Sequence, residues 1–204
     1  MKLHGFYFIT DSGLSTKPDV EAVTDAVAAG AKIVQYRDKT LPKKEMIEYA
    51  KRMCAICKGK AIFLVNDDVE VAYESGADGV HLGQDDMSPL EARAILGRDK
   101  IIGWTVHNVG EAILARDMGV DYIGASPIFS TTTKKDAGEP AGIKLIKEIK
   151  KAVDLPVAAI GGVNETNVDE VISAGADMAC AISATVAKKD ITGAVRYFVE
   201  KFRR

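Results

Sequence analysis

A single-domain (β/α)8 TIM barrel over residues 1–204 is the fold class this sequence predicts, and three observations carry it. Eight short apolar runs alternate with amphipathic helical stretches along the whole chain, the pattern of a parallel sheet whose right-handed crossovers close it into a barrel. A glycine-centred phrase recurs once per two strands: Ala29-Gly30-Ala31-Lys32, Ser75-Gly76-Ala77-Asp78, Met118-Gly119-Val120-Asp121 and Ala174-Gly175-Ala176-Asp177. Each closes a helix with Gly in the left-handed position and turns within a few residues into an even-numbered strand. The first strand is followed by Thr10-Asp11-Ser12-Gly13, without the G-x-G-x-x-G turn of an open doubly wound sheet, so that architecture ranks second.

Taken in order, strands are expected over 6–10, 33–37, 62–66, 79–83, 101–106, 122–129, 157–163 and 178–183. Runs such as Ile62-Phe63-Leu64-Val65 are rich in β-branched and aromatic residues, as buried strands require. Helices are expected over 20–29, 43–58, 69–75, 89–96, 110–118, 143–153, 165–174 and 191–202, the last with Ala194, Val195, Phe198 and Phe202 at helical spacing. No Pro- or Ser-rich stretch interrupts them, so the chain reads as one domain.

Composition excludes several classes. An apolar fraction of 47% against 27% charged residues is ample for a core and argues against disorder. With a net charge of −2 there is no global field to draw nucleic acid or an anionic membrane, and any anion must be held locally. No run approaches the roughly 18 apolar residues of a membrane span, and the chain enters its first strand without a signal-like stretch, so a cytoplasmic location is expected. The three cysteines do not suggest a disulfide framework. Cys54 and Cys57 match C-x-x-C but lie within a helix, not at its N-terminus, and no second pair completes a zinc site; they read as packing residues.

In a barrel the chemistry gathers at the C-terminal ends of the strands. Two runs there end in acids, Asn66-Asp67-Asp68 and Gln84-Asp85-Asp86. Clustered carboxylates repel unless a cation lies between them, so Asp67 and Asp86 suggest a hard divalent metal; the alternative is that acids cap the following helices, which suits Asp68 and Asp85. Gln35, Arg37 and Lys39 alternate along strand 2 and its exit and face one way, toward a ligand or toward nearby acids. Thr131, Thr132, Thr133 and Lys134 form a loop suited to phosphate, or a solvated tip. Gly161-Gly162 and the Ser183-Ala184 turn stand where barrels hold phosphate on backbone N–H groups. His81 reads equally as a core or a functional histidine, His107 as a helix-start cap or a substrate contact, and His4 as structural.

With these residues in view the chain resembles the thiamine-phosphate synthase family nearly end to end. The resemblance rests on Tyr7-Phe8-Ile9-Thr10-Asp11, Val34-Gln35-Tyr36-Arg37-Asp38-Lys39, Asn66-Asp67, His81-Leu82-Gly83-Gln84-Asp85-Asp86, Pro127-Ile128-Phe129 with Thr131, Thr133 and Lys134, and Ile160-Gly161-Gly162. It implies a TIM barrel that joins hydroxymethylpyrimidine diphosphate to a thiazole phosphate, plain or carboxylated, releasing pyrophosphate with magnesium bound. It further implies Asp67 and Asp86 as Mg2+ ligands and Gln35, Arg37, Lys39, Asn66 and Lys134 on the diphosphate, with Arg37, Lys39 and Lys134 catalytic. Thr105 would contact the pyrimidine, and Thr131, Thr133, Gly162, Ile182 and Ser183 the thiazole phosphate. The chain departs from the family pattern at Trp104-Thr105, where a small residue and Ser are usual, at Ser126 for Gly, and at Ser130 for Pro. Trp104 is harmless if it faces outward and shrinks the pocket if inward. Two further readings, a thiazole tautomerase and a non-catalytic phosphate sensor, have no use for a metal and diphosphate site. A homo-oligomer is compatible with the sequence, which does not set the oligomeric state.

Overall fold

The computed structural model of the chain describes residues 2–133 and 138–203. Eight parallel strands close in chain order: β1 (Gly5–Ile9), β2 (Ile33–Tyr36), β3 (Ile62–Asn66), β4 (Gly79–Leu82), β5 (Ile101–Val106), β6 (Tyr122–Ala125), β7 (Val157–Ala159) and β8 (Met178–Cys180), with β8 returning to β1. Around them lie α1 (Asp19–Ala28), α2 (Lys43–Cys57), α3 (Val69–Ser75), α4 (Pro89–Leu96), α5 (Val109–Asp117), α6 (Gly142–Ala152), α7 (Val168–Ser173), α8 (Ser183–Val186) and α9 (Ile191–Lys201). Among the described residues no helix is long and apolar enough to cross a membrane.

Strand periodicity sorts the interior into two cores. On β5, Ile102, Trp104 and Val106 point outward into the layer between sheet and helices, while Ile101, Gly103 and Thr105 point inward. Trp104 is therefore on the outer side, its Nε1–H donating to the Gly83 carbonyl at 3.1 Å, and does not narrow the interior. The inner core holds Tyr7, Ile9, Ile33, Leu64, Tyr122 and Met178 among others. In the outer core Phe6 stacks on Phe198 at 5.0 Å and fastens α9 to β1. Full burial of each such side chain contributes about 1.5–3 kcal/mol.

The repeated phrase has a structural reason. Gly30, Gly76, Gly119 and Gly175 all take positive φ, ending their helices in a backbone conformation that side chains resist. In three of the four phrases the closing Asp then ties the foot of another strand: Asp78 accepts from Phe63 N–H at 2.8 Å, Asp121 from Ile102 N–H at 2.8 Å and Asp177 from Val157 N–H at 2.9 Å. The last two also hold cations, Arg93 and Lys150.

Three strands are shorter than the sequence pattern suggests. β6 ends at Ala125 just before Pro127, which has no ladder donor, and β7 stops before Gly161 and Gly162, whose φ values are +95° and +66°. The apolar runs nevertheless continue side by side, with Ile128 and Phe129 N–H donating to Ile160 and Gly161 carbonyls at 2.9 Å. Beyond β8 the expected turn at Ser183 is the opening of α8, too short for its periodicity to register in the sequence. The helix expected from 165 begins at Val168, because Asn164 and Asn167 are engaged in a side-chain turn: Asn167 Oδ1 accepts from Asn164 N–H and Asn164 Oδ1 from Thr166 N–H, both at 2.9 Å.

Candidate active site

The strand ends open into a cavity of about 300 Å³. Its three walls are the exits of β2 to β4, the loop after β6, and the turns after β7 and β8.

The first wall starts with the phase of β2. Gln35 points inward and is 2% exposed, and Arg37 and Lys39, two and four residues on, line the cavity above it. Both cations are also paired with acids, Arg37 with Asp11 at 2.5 Å and Lys39 with Asp67, as the second reading of these residues expects. Thr10 braces the turn, its Oγ1 accepting the Arg37 N–H at 2.9 Å.

Asn66 ends β3 at the cavity, and Asp67 follows at φ 64°, the one non-glycine among the described residues in the left-handed region. Strain at such a residue, of order 1–3 kcal/mol, persists only where the surroundings enforce it, and Asp carries it better than most. The turn divides the labour of the acids. Asp67 enters the cavity, while Asp68 caps α3, accepting from Val71 N–H at 3.0 Å. The second cluster differs from the capping expectation: α4 is capped by Ser88 in a capping box with Glu91, with Pro89 at its first position, and Asp85 stands exposed at the cavity rim. Asp86 turns back, accepting from Gly83 N–H at 2.7 Å. Loss of solvent around it and the adjoining Asp67 carboxylate push its carboxyl above the usual range.

Two carboxylates facing one another, with Lys39 on one of them, form a donor set of hard oxygens. Among the described residues no three His, Cys, Asp or Glu side chains converge as a metal cage. The donor chemistry of Asp67 and Asp86 could hold a hard divalent ion such as magnesium, which is bound through one or two protein carboxylates.

The floor is apolar at Ile9, Ile160 and Cys180, and polar at His81 and Thr105. His81 is buried, with Nδ1 2.7 Å from Tyr122 Oη and Nε2 2.9 Å from Thr105 Oγ1. The sequence alone assigns no site role to Ile9, Ile160, Cys180 or to Tyr7 and Tyr122 beneath them; inward phase on β1, β6, β7 and β8 is the available signal. His107 belongs with the helix start, its backbone N–H and ring both directed at Glu111, although it also reaches the rim; Asn108 caps α5. His4 packs edge-on against Phe202 at 5.7 Å, well away from the cavity.

On the far side Thr131 and Thr133 line the cavity, with Thr133 N–H donating to Thr131 Oγ1 at 3.2 Å. Lys134 lies outside the described residues. Gly161 and Gly162 face them, and a Cβ on Gly162 would stand 2.5 Å from the Ser130 carbonyl oxygen, so only glycine lets these two segments meet. Ser126, Ile182 and Ser183 complete the wall. Cys54 and Cys57 do not line the cavity; burial pushes the Cys57 thiol up to about 12, where it remains a protonated packing group.

The cavity therefore brings two cations and two carboxylates together on one side and hydroxyls and a glycine turn on the other. A family described as thiamine monophosphate synthase matches residues 6–185. A thiamine-phosphate synthase of Methanosarcina barkeri is 53% identical over 98% of this chain and 90% of its own length. One from Chloroflexus aurantiacus is 43% identical, over 93% and 88%. The solved thiamine phosphate pyrophosphorylase from Pyrococcus furiosus superposes with a TM-score of 0.90 at 36% identity, over 98% of this chain and 96% of that one.

Proposed function

The chain belongs to the thiamine monophosphate synthase family, and from that premise we propose that it condenses hydroxymethylpyrimidine diphosphate with a thiazole phosphate, releasing pyrophosphate in a magnesium-dependent reaction. The observation that carries this reading is one cavity joining Arg37, Lys39, Asp67 and Asp86 to Thr131, Thr133, Gly162 and Ser183: a diphosphate seat beside a monophosphate seat.

Asp67 and Asp86 are the residues that would hold magnesium, which would supply positive charge to the diphosphate. Arg37 and Lys39 are held in place by Asp11 and Asp67, so their charge is oriented before the substrate arrives. As the pyrimidine methylene C–O bond breaks, its electron pair leaves with the diphosphate, and these cations stabilise that growing charge. The thiazole nitrogen then gives its lone pair to the methylene carbon. That nitrogen carries no proton to remove, so no general base is required, and a dissociative path through a pyrimidine carbocation suits a site built from electrostatics. Lys134 joins the diphosphate group by the family resemblance.

The test is pyrophosphate release with both substrates and magnesium present. Release that depends on both organic substrates is expected. A tautomerase or a phosphate sensor releases none.

A further inference from the structure

Beneath the cavity a continuous hydrogen-bonded chain crosses the barrel from β2 to β5. Gln35 Nε2 lies 2.6 Å from Tyr7 Oη, Tyr7 Oη 2.9 Å from Tyr122 Oη, Tyr122 Oη 2.7 Å from His81 Nδ1, and His81 Nε2 2.9 Å from Thr105 Oγ1. The two ends line the cavity and the two tyrosines do not. Space for the middle of the chain is made by omitting side chains. A Cβ on Gly103 would lie 2.1 Å from the Tyr122 ring, and one on Gly124 would lie 2.8 Å from the His81 ring.

One sense of the chain gives every hydroxyl proton within it an acceptor. An amide nitrogen can only donate, so Gln35 donates to Tyr7. Each phenol has one proton, and burial pushes both phenols far up, so both remain protonated. Tyr7 accepts from Gln35, and within the chain its own proton has Tyr122 Oη as acceptor; Tyr122 in this sense donates to His81 Nδ1, whereas the reverse sense leaves the buried Tyr7 proton no acceptor within the chain. The imidazole proton is then on Nε2 and is given to Thr105, whose own hydroxyl hydrogen is left to donate into the cavity. At the other end, with its nitrogen engaged, Gln35 presents its carbonyl oxygen.

We propose that Tyr7 and Tyr122 are positioning residues: as a one-way relay they fix His81 as the Nε2–H tautomer and fix the amide of Gln35, so that the floor offers an acceptor on β2 and a donor on β5. A flat heteroaromatic ring with an amine and an unprotonated ring nitrogen is the complementary chemistry. This last step rests on the pyrimidine substrate of the proposed function occupying the floor.

Two measurements on the full chain test it. The first needs no substrate: 15N NMR of the imidazoles at pH 8, where three histidines make assignment tractable. Wild type is expected to carry the His81 proton on Nε2. Tyr122→Phe should redistribute it toward Nδ1, and Tyr7→Phe should leave it on Nε2, because Tyr122 still donates. A wild-type proton on Nδ1, or an unchanged His81 in Tyr122→Phe, overturns the relay. The second is steady-state kinetics. Both variants should raise the Michaelis constant of the pyrimidine substrate roughly ten-fold, the worth of one neutral hydrogen bond, and leave that of the thiazole phosphate within two-fold. Equal rises in both constants, or none, overturn the positioning role. If Tyr122→Phe does not fold, the wild-type tautomer and the Tyr7→Phe kinetics decide. Should wild type release no pyrophosphate, the reaction assignment fails while the NMR result still reads the relay.

Discussion

Asp67 concentrates the site's local conflicts in one residue: a left-handed backbone, a neighbouring carboxylate and a lysine partner. Asparagine tolerates the same φ, so Asp67→Asn, and likewise Asp86→Asn, should spare the fold while removing one hard charged donor. The magnesium concentration for half-maximal turnover should rise ten- to a hundred-fold in each, the equivalent of about 1.5–3 kcal/mol, with an unchanged circular-dichroism spectrum. Full activity of both at wild-type magnesium would sink the assignment. A second residue-scale case lies outside the cavity lining. Asp19, half-buried at the start of α1 with Oδ1 unpartnered among the described residues, is pushed up to about 6 by loss of solvent and by Asp38 and Asp11. Between its ordinary carboxylate range and 6 the folded state binds more protons than the unfolded one, so this group's contribution to stability falls as pH rises through that window. Asp19→Asn should therefore melt higher than wild type at pH 7.5, with the gain shrinking toward pH 4.5; an equal gain at both pH values would refute the account.

At the scale of the element, the glycine phrases turn each helix into the next strand and their aspartates lock strand feet at the face opposite the cavity. Asp177 is the fullest example, accepting from Val157 N–H and from Lys150 at 2.9 Å each. Asp177→Ala leaves the β7 N–H without that acceptor, costing about 1–3 kcal/mol. At roughly 2–4 °C per kcal/mol for a chain of this size, the melting temperature should fall by about 2–12 °C. Turnover at 25 °C should be unaffected, since chemistry and stability occupy opposite ends of a barrel. Reduced turnover with an unchanged melting temperature would contradict that division. The glycine turn after β7 behaves differently. Gly162→Ala places a Cβ against Ser130 and Phe129 at positive φ, and should raise the Michaelis constant for the thiazole phosphate more than that for the pyrimidine, read by varying each substrate in turn.

At the scale of the whole molecule, ligands that join the strand exits should stabilise the closed barrel by mass action. On the proposed function, neither magnesium nor pyrophosphate alone would satisfy both the carboxylate pair and the cations, whereas together they would. At a hundred times the dissociation constant the pair should contribute about 2.7 kcal/mol and raise the melting temperature by roughly 5–11 °C. A shift with either component alone that equals the shift with both would argue against a shared site.

By itself the sequence determined the barrel and most of its mouth, because both depend on short-range rules. Strand and helix periods differ, glycine marks the left-handed caps, and alternation along β2 places Gln35, Arg37 and Lys39 on one face wherever the strand ends. What those rules do not contain is the partner of each side chain. Asp67 for the cavity and Asp68 for the cap of α3 follow from the sequence, but that Ser88 and not Asp85 caps α4 depends on where Pro89 starts the helix. The Gln35 to Thr105 chain joins residues 28, 115, 41 and 24 positions apart at its successive links, made adjacent only when the sheet closes on itself. Tertiary structure decided those contacts because a buried polar group must find its hydrogen bond wherever the fold brings one, and no local pattern records the distance it will reach.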